Sequence, residues 1–124
     1  MFTFKKTERL CSKKDIELLH SKGQHKTRFP LKLSWRYTTH SNPFPVRLLI
    51  TVPKRLFKKA VHRNRIKRQI REVYRLNKHL LYQQLNDKEK QADIRIIFIG
   101  TTLPETPQIE NALLALFKEL ALHK

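Results

Sequence analysis

The sequence has little of what marks secreted or membrane-spanning proteins. Its 124 residues include one cysteine, Cys11, so an intramolecular disulfide cannot form and a disulfide-stapled scaffold is excluded. No apolar run approaches the ~18 residues that span a bilayer. Lys5 and Lys6 have no apolar stretch behind them, so no signal peptide is predicted. We therefore expect a cytoplasmic protein.

Glycine is also scarce, with Gly23 and Gly100 as the two examples in the chain. No glycine-rich linker, repeat or low-complexity tract divides the sequence, while 40% apolar residues suffice for a core. The expectation is one domain over residues 1–124, with residues 1–8 as a flexible N-terminus.

Acidic residues are few, and they are unevenly matched to the basic ones. Lys and Arg total 27 and Asp and Glu total 10, which gives 27 − 10 = +17. Residues 54–78 hold eleven Lys or Arg and one acid, Glu72, whereas the C-terminal third is balanced. Such a charge favours a polyanionic partner, with nucleic acid as the first candidate and an anionic membrane surface as the second.

Periodicity predicts a small α+β fold in which helices pack on a sheet. Ser12 is a helix cap and Gly23 a helix end. Alternation over 31–37 and again over 46–52 predicts two strands, joined through a turn at 41–45 as an antiparallel hairpin. A third strand follows at 94–99 and an amphipathic helix at 109–120, with a further short strand near 24–28. On the first of these strands, Trp35 is expected to pack in the core rather than to stack on bases.

A long helix that begins near Ala60 is predicted to be apolar on one side and cationic on the other. At about 100° per residue, one sector holds Ile66, Ile70, Val73, Leu80 and Leu81. The opposite sector holds Arg65, Lys67, Arg68, Arg71, Arg75 and Lys78. Glu72 is spaced to bridge Arg68 and Arg75. Membrane insertion would need a free apolar side, but the strands require that side as a cover, so an RNA-binding helix is favoured.

The basic run resembles a known family signature. Residues 54–68 read Lys-Arg-Leu-Phe-Lys-Lys-Ala-Val-His-Arg-Asn-Arg-Ile-Lys-Arg, followed by Arg71-Glu72 and Tyr74-Arg75. This pattern, with Arg-Asn-Arg at its centre, is similar to the signature of the bacterial ribonuclease P protein subunit. Arg9-Leu10, Asp15, Gly23 and the strand at Asp93-Ile94 resemble other parts of the family, so the likeness covers most of the chain.

The resemblance implies a fold and an activity. The fold is an α-β-β-β-α-β-α sandwich with a mostly antiparallel central sheet, similar to ribosomal-protein-like domains with a left-handed crossover. Ribonuclease P is an endoribonuclease that removes the 5′ leader from precursor tRNA. Its catalytic component is an RNA that uses bound Mg²⁺, and the protein assists without catalytic residues or a metal of its own. The implied partners are the catalytic RNA and precursor tRNA, with no membrane and no obligate protein partner.

The resemblance also implies two sets of contact residues. The set expected to bind the catalytic RNA comprises Lys54, Arg55, Lys58, Lys59, His62, Arg63, Asn64, Arg65, Lys67, Arg68, Arg71 and Arg75. The set expected to form or adjoin a cleft for the leader comprises Phe4, Lys5, Lys6, Arg9, Ile16, His20, Lys32, Ser34 and Arg36. Family members often carry Phe at the positions of Ile16 and His20, so stacking on leader bases is weaker here.

Two other functions fit parts of the sequence. A nuclease acting by itself would need a general base or metal ligands, but the six histidines lack zinc spacing and His62 in a basic segment is more typical of a phosphate contact. A structural RNA-binding protein of the ribosome-associated type fits the charge and the fold class equally well. Only the Arg-Asn-Arg run distinguishes it from a ribonuclease P subunit.

Overall fold

The computed structural model describes residues 8–39 and 44–122, which form three helices and four strands. Their order, α-β-β-β-α-β-α, is the predicted one. The elements are α1 Lys13–Lys22, β1 Gln24–Arg28, β2 Leu31–Tyr37, β3 Val46–Thr51, α2 Ala60–Asp87, β4 Ala92–Phe98 and α3 Thr106–Leu122.

Helix α1 has the predicted ends. The Ser12 hydroxyl accepts a hydrogen bond from the Asp15 amide at 3.3 Å, which satisfies one free donor of the first turn. Gly23 closes the helix, and its amide donates to the Leu19 carbonyl. A Cβ at position 23 would lie 2.3 Å from that carbonyl oxygen, so the glycine is required by close approach.

The strands pair differently from the predicted hairpin. The sheet order is β1-β2-β4-β3, so β2 and β3 are separated by β4. Strand β4 is antiparallel to β2 and parallel to β3, and α2 makes the crossover from β3 to β4. The hairpin prediction was wrong because β4, in which every residue is buried or half-buried, pairs with both β2 and β3 and so takes the central position between them. The predicted turn at 41–45 lies largely outside the described residues.

The core lies between one face of the sheet and helices α2 and α3. Trp35, Tyr74 and Phe98 are its largest fully buried side chains, so the prediction that Trp35 packs inside is confirmed. On β2, the odd-numbered residues from Leu31 to Trp35 face this core, and the even-numbered ones lie on the opposite face. Helix α1 packs against β2 and β4, where it covers part of that opposite face.

The buried stripe of α2 rotates along the helix. The first half buries Ile66, Ile70, Val73 and Tyr74, and the second half buries Lys78, Leu81 and Leu85. At about 100° per residue, the centre of the stripe moves by roughly 70° between the two sets. Leu80 is consequently exposed and Lys78 is buried, so both predictions for these two residues were wrong.

Candidate nucleic-acid interface

The predicted cationic sector of α2 is exposed over the first half of the helix. Arg65, Arg68 and Arg71 project into solvent, while Ile66 and Ile70 on the other side are fully buried. The amide-bearing Asn64 is exposed beside them. The preceding loop adds exposed cations at Lys54, Arg55, Lys58 and Lys59. We call Arg65, Arg68, Arg71 and these four loop cations the cationic face.

The start of α2 strengthens this positive potential. Its N-cap, Lys59, forms no capping hydrogen bond through its side chain, and the first turn contains no acid. The partial positive charge of the helix N-terminus therefore adds to the field of the cations. The half-buried His62 lies in this first turn.

Arg63, unlike the exposed Arg65 and Arg68, contacts the backbone of the preceding loop. Its side chain donates hydrogen bonds to the carbonyls of Phe57 at 2.7 Å and Lys58 at 2.8 Å. Position 63 lies on the same side of α2 as the apolar stripe, so the side chain points toward the preceding loop rather than along the exposed side. Arg63 therefore ties the loop that carries four cations to the first turns of α2.

At the far end of the face, Arg75 is already paired. Its guanidinium donates to both carboxylate oxygens of Glu72, and this hydrogen bonding holds the pKa of Glu72 below its ordinary value. The bridge from Glu72 was predicted to reach Arg68 also, but no ion pair joins these two side chains in the described part of the chain. Arg68 is thus the more available cation.

Lys78, which was predicted to continue the cationic sector, belongs to a buried cluster. It is 5% exposed and donates to the carboxylate of Glu8, which is fully buried although it was expected in the flexible N-terminus. The Tyr82 hydroxyl donates to the same Glu8 oxygen at 2.7 Å. Burial raises the pKa of Tyr82, so its hydroxyl keeps the proton that it donates.

Arg9, predicted near the leader cleft, lies beside β3 at the edge of the sheet, next to α2. It lines a hollow of about 230 Å³ together with Lys67 and Arg71, over a wall that includes Leu49 and Ile50. The half-buried Lys67 is one turn from Arg71 on the helix. This hollow extends the positive surface from α2 to the edge of the sheet formed by β3. There the Leu10 amide donates a hydrogen bond to the Leu48 carbonyl.

The second surface is the sheet face opposite the core. Lys32, Ser34 and Arg36 share this face of β2, as their sequence alternation predicts. The register places Lys32 beside Ile97 and Ser34 beside Arg95 of β4. Arg95 was not predicted as a site residue, although its alternation with the buried Ile94 and Ile96 indicates an outward position. Its guanidinium donates to the Thr51 hydroxyl at 3.1 Å, which holds it along the sheet.

A histidine that sequence reasoning also missed lies at the edge of this face. His25 is 2.7 Å from the Ser34 hydroxyl through Nδ1. Burial lowers the pKa of His25, and the nearby charges of Lys32 and His20 lower it further. His20, His25, Lys32 and Ser34 are therefore close together, with the half-buried Ile16 on the same helix as His20. Phe4, Lys5 and Lys6 lie outside the described residues.

An ion-pair network fixes α1 over one end of the face. Arg47 donates to both oxygens of the buried Asp93 at 2.8 Å and to Asp15 of α1 at 3.1 Å. Because α1 covers the end near Arg36 and Asp93, the end near Lys32 and Ile97 stays accessible. We call this region, formed by the exposed His20 and His25, the half-buried Lys32 and Arg95 and the buried Ser34, the sheet cleft.

Four of the ten acidic residues, all of which lie within the described ranges, form such pairs. Glu8, Asp15, Glu72 and Asp93 each contact a cation. Within residues 8–39 and 44–122, no three His, Cys, Asp or Glu side chains converge as metal ligands. The same ranges contain no helix long and apolar enough to cross a membrane. The chemistry available on these two surfaces is the binding of anions by guanidinium, ammonium and imidazole groups.

Comparisons with known proteins agree with the geometry. The sequence model of the family described as Ribonuclease P matches residues 4–121. A ribonuclease P protein component from Porphyromonas gingivalis is 34% identical over 112 residues, which cover 90% of this chain and 82% of the relative. The RNase P protein from Thermotoga maritima superposes with a TM-score of 0.72 at 26% identity, covering 90% of this chain and 96% of that one. The RNase P protein from Staphylococcus aureus gives 0.71 at 26% identity, with 91% and 94% covered.

These matches favour ribonuclease P over a ribosome-associated protein as the interpretation of the basic helix. They extend across both surfaces, since the matched residues include the cationic face and the sheet cleft. The chain belongs to the ribonuclease P protein family, and as a protein component of that endoribonuclease it takes part in tRNA processing with the RNA subunit.

Proposed function

We propose that the cationic face binds the catalytic RNA and that the sheet cleft holds the 5′ leader of precursor tRNA. The observation that carries the first assignment is the exposure of Arg65, Arg68 and Arg71 on a helix whose opposite side is locked in the core. Such arginines keep a fixed spacing, and planar guanidinium groups bind phosphate oxygens in pairs. His62, Asn64, Lys67 and Arg75 flank them, and Arg63 holds the loop.

The cleft suits a single strand bound through its phosphates. Lys32 and Arg95 supply permanent charge, and the exposed His25, whose Nδ1 contacts the buried Ser34 hydroxyl, supplies a hydrogen-bonding ring. Ile16 and His20 offer little aromatic surface, so electrostatic contacts outweigh stacking in this chain. Arg36 lies toward the end covered by α1, and Phe4, Lys5 and Lys6 remain assigned by resemblance alone.

The metal belongs to the RNA in this proposal. A Mg²⁺ site needs carboxylate or carbonyl oxygens that are free to coordinate. Four of the ten carboxylates are engaged by cations, and among the described residues no three His, Cys, Asp or Glu side chains converge, so the described side chains offer no cluster that fits Mg²⁺. The single domain thus contributes binding and positioning, in the cytoplasm, and no catalytic residue.

The first test concerns the RNA contact. Replacing the exposed Arg68 by Ala removes one phosphate contact, so the slope of log affinity against log salt should become shallower by about one. The measurement is a salt titration of binding to a ribonuclease P RNA. Lys14, an exposed cation on α1, is the control, and Lys14→Ala should leave the slope unchanged. Equal slopes for Arg68→Ala and the unmodified protein would reject the assignment.

A second test separates this function from structural RNA binding. The protein is added to a ribonuclease P RNA at low Mg²⁺, and removal of the leader from precursor tRNA is followed. Processing should increase, because cations of the protein offset phosphate repulsion that Mg²⁺ otherwise screens. No gain in processing would favour the ribosome-associated alternative.

A binding measurement tests the sheet cleft. Lys32→Ala should weaken binding of precursor tRNA while leaving binding of mature tRNA unchanged.

A further inference from the structure

We propose that the leader path continues beyond the sheet cleft, over the edge strand β1 and into a groove between β1 and α3. This inference rests on the proposed function of the cleft. The groove is formed by Arg28, Phe29, Gln108 and Asn111, with the small side chains of Ala112 and Ala115 at its base. Its occupant is leader RNA upstream of the nucleotides held in the cleft.

Phe29 is a preorganised aromatic platform. It is 64% exposed, and it is the one aromatic ring among the large exposed apolar side chains in the part of the chain that the structure describes. Its turn partner Pro30 is buried, and the Pro30 carbonyl accepts a hydrogen bond from the Ile99 amide at 2.8 Å. The turn is thereby anchored to the end of β4, so little conformational freedom is lost when a base stacks on the ring.

The groove beside the ring has the size and polarity of a nucleotide site. Two adjoining hollows of about 420 and 450 Å³ share Arg28, Asn111 and Ala115. Asn111 and Gln108 are exposed amides that can both donate to and accept from a base edge. Arg28 adds a guanidinium for a phosphate, and Lys118 adds a second cation against the single acid Glu119. Aromatic, amide and cationic groups together are typical of single-strand RNA recognition.

Strand β1 connects the cleft to this groove. Each of its residues is exposed, and its free edge forms the border of the sheet. His25 and Thr27 pair with Ser34 and Lys32, so they lie on the cleft side. The alternating Lys26 and Arg28 lie on the α3 side. A strand that leaves Lys32 across this edge therefore passes from cations on one face to cations on the other.

The test compares leaders of different length in the assembled holoenzyme. Precursor tRNAs with leaders of about 4 and about 16 nucleotides, the range of single-strand footprints on small domains, are bound to holoenzymes that contain unmodified protein, Phe29→Leu or Phe29→Trp. Phe29→Leu keeps an apolar side chain but removes the ring, so it should weaken binding of the long leader about five- to tenfold. The short leader should bind equally well, and Phe29→Trp should preserve binding of both. Leu76→Ala, at another exposed apolar position, should change neither.

Four results would overturn the inference. The first two are equal affinity of Phe29→Leu and unmodified holoenzyme for the long leader, and an equal loss for both leaders. The third is weaker binding of Phe29→Leu to the catalytic RNA in the absence of precursor tRNA, and the fourth is a change only in self-association of the protein. The variant Lys32→Ala distinguishes failure of this inference from failure of the proposed function of the cleft. If Lys32→Ala weakens binding of both leaders and Phe29→Leu weakens neither, the cleft stands without the extension; if Lys32→Ala weakens neither, the cleft assignment itself fails.

Discussion

The two halves of α2 carry positive charge in opposite ways. In the first half, Arg65, Arg68 and Arg71 are exposed along one side. In the second half, the corresponding cation, Lys78, is buried against Glu8 and Tyr82. Both halves belong to one continuous helix, Ala60–Asp87, and the difference follows from the rotation of its buried stripe.

This contrast shows that a run of basic residues is not by itself a binding surface. A buried ammonium requires a compensating carboxylate, because desolvation of an isolated charge costs several kcal/mol. Exposed guanidinium groups need no internal partner, but their mutual repulsion is relieved when a polyanion binds. Exposure and pairing, rather than composition, distinguish the half that we propose binds RNA from the structural half.

The largest expected effect concerns the buried half. Lys78→Met leaves the Glu8 carboxylate buried without its cation, which should lower the free energy of unfolding by about 3–5 kcal/mol. Urea unfolding measures this loss, and under native conditions the salt dependence of RNA binding should remain unchanged. Glu8→Leu combined with Lys78→Met should cost less than the sum of the two single changes, since no uncompensated charge remains. Additive losses would contradict direct coupling between Glu8 and Lys78.

A smaller effect is expected at the junction of loop and helix. Arg63→Ala removes two hydrogen bonds to carbonyls and should destabilise the protein by about 1–2 kcal/mol, toward the low end for charged donors because the site is half-exposed. Arg65→Ala is the matched control two residues away, exposed and on the cationic face. It should leave the unfolding midpoint unchanged while lowering the salt slope of RNA binding. If both variants have identical stability, Arg63 does not anchor the loop.

Much of the fold was predictable because local patterns dictate it. Ser12 and Gly23 mark the ends of α1, and the alternation from Leu31 to Tyr37 marks β2 with the correct faces. Strand pairing was not predictable in this way. The position of β4 between β2 and β3 depends on how three segments distant in sequence share one core, and a turn signal between β2 and β3 carries no information about that competition.

The candidate site was predictable to a similar degree. The exposed arginines follow from helical spacing, and Lys32, Ser34 and Arg36 follow from strand alternation. Arg95 and His25 were missed because they become neighbours of Ser34 only through the sheet register. The burial of Lys78 could not be inferred, since its partner Glu8 is 70 residues away in sequence.

The smallest expected effect lies where the two halves of α2 meet. Glu72→Gln removes the carboxylate that engages Arg75, so RNA affinity at low salt should rise and the salt slope should steepen by up to about one. The variant also has a pH signature. Since Arg75 holds the pKa of Glu72 below its ordinary value, the pair stabilises the folded state above that ordinary value, and this contribution is lost as pH falls through the lowered pKa. Glu72→Gln should lack that acid-side decline when unfolding is followed against pH, and Glu110→Gln, on α3, should retain it. If RNA affinity is unaltered in Glu72→Gln, then Arg75 lies outside the interface and the binding half of the helix ends at Arg71.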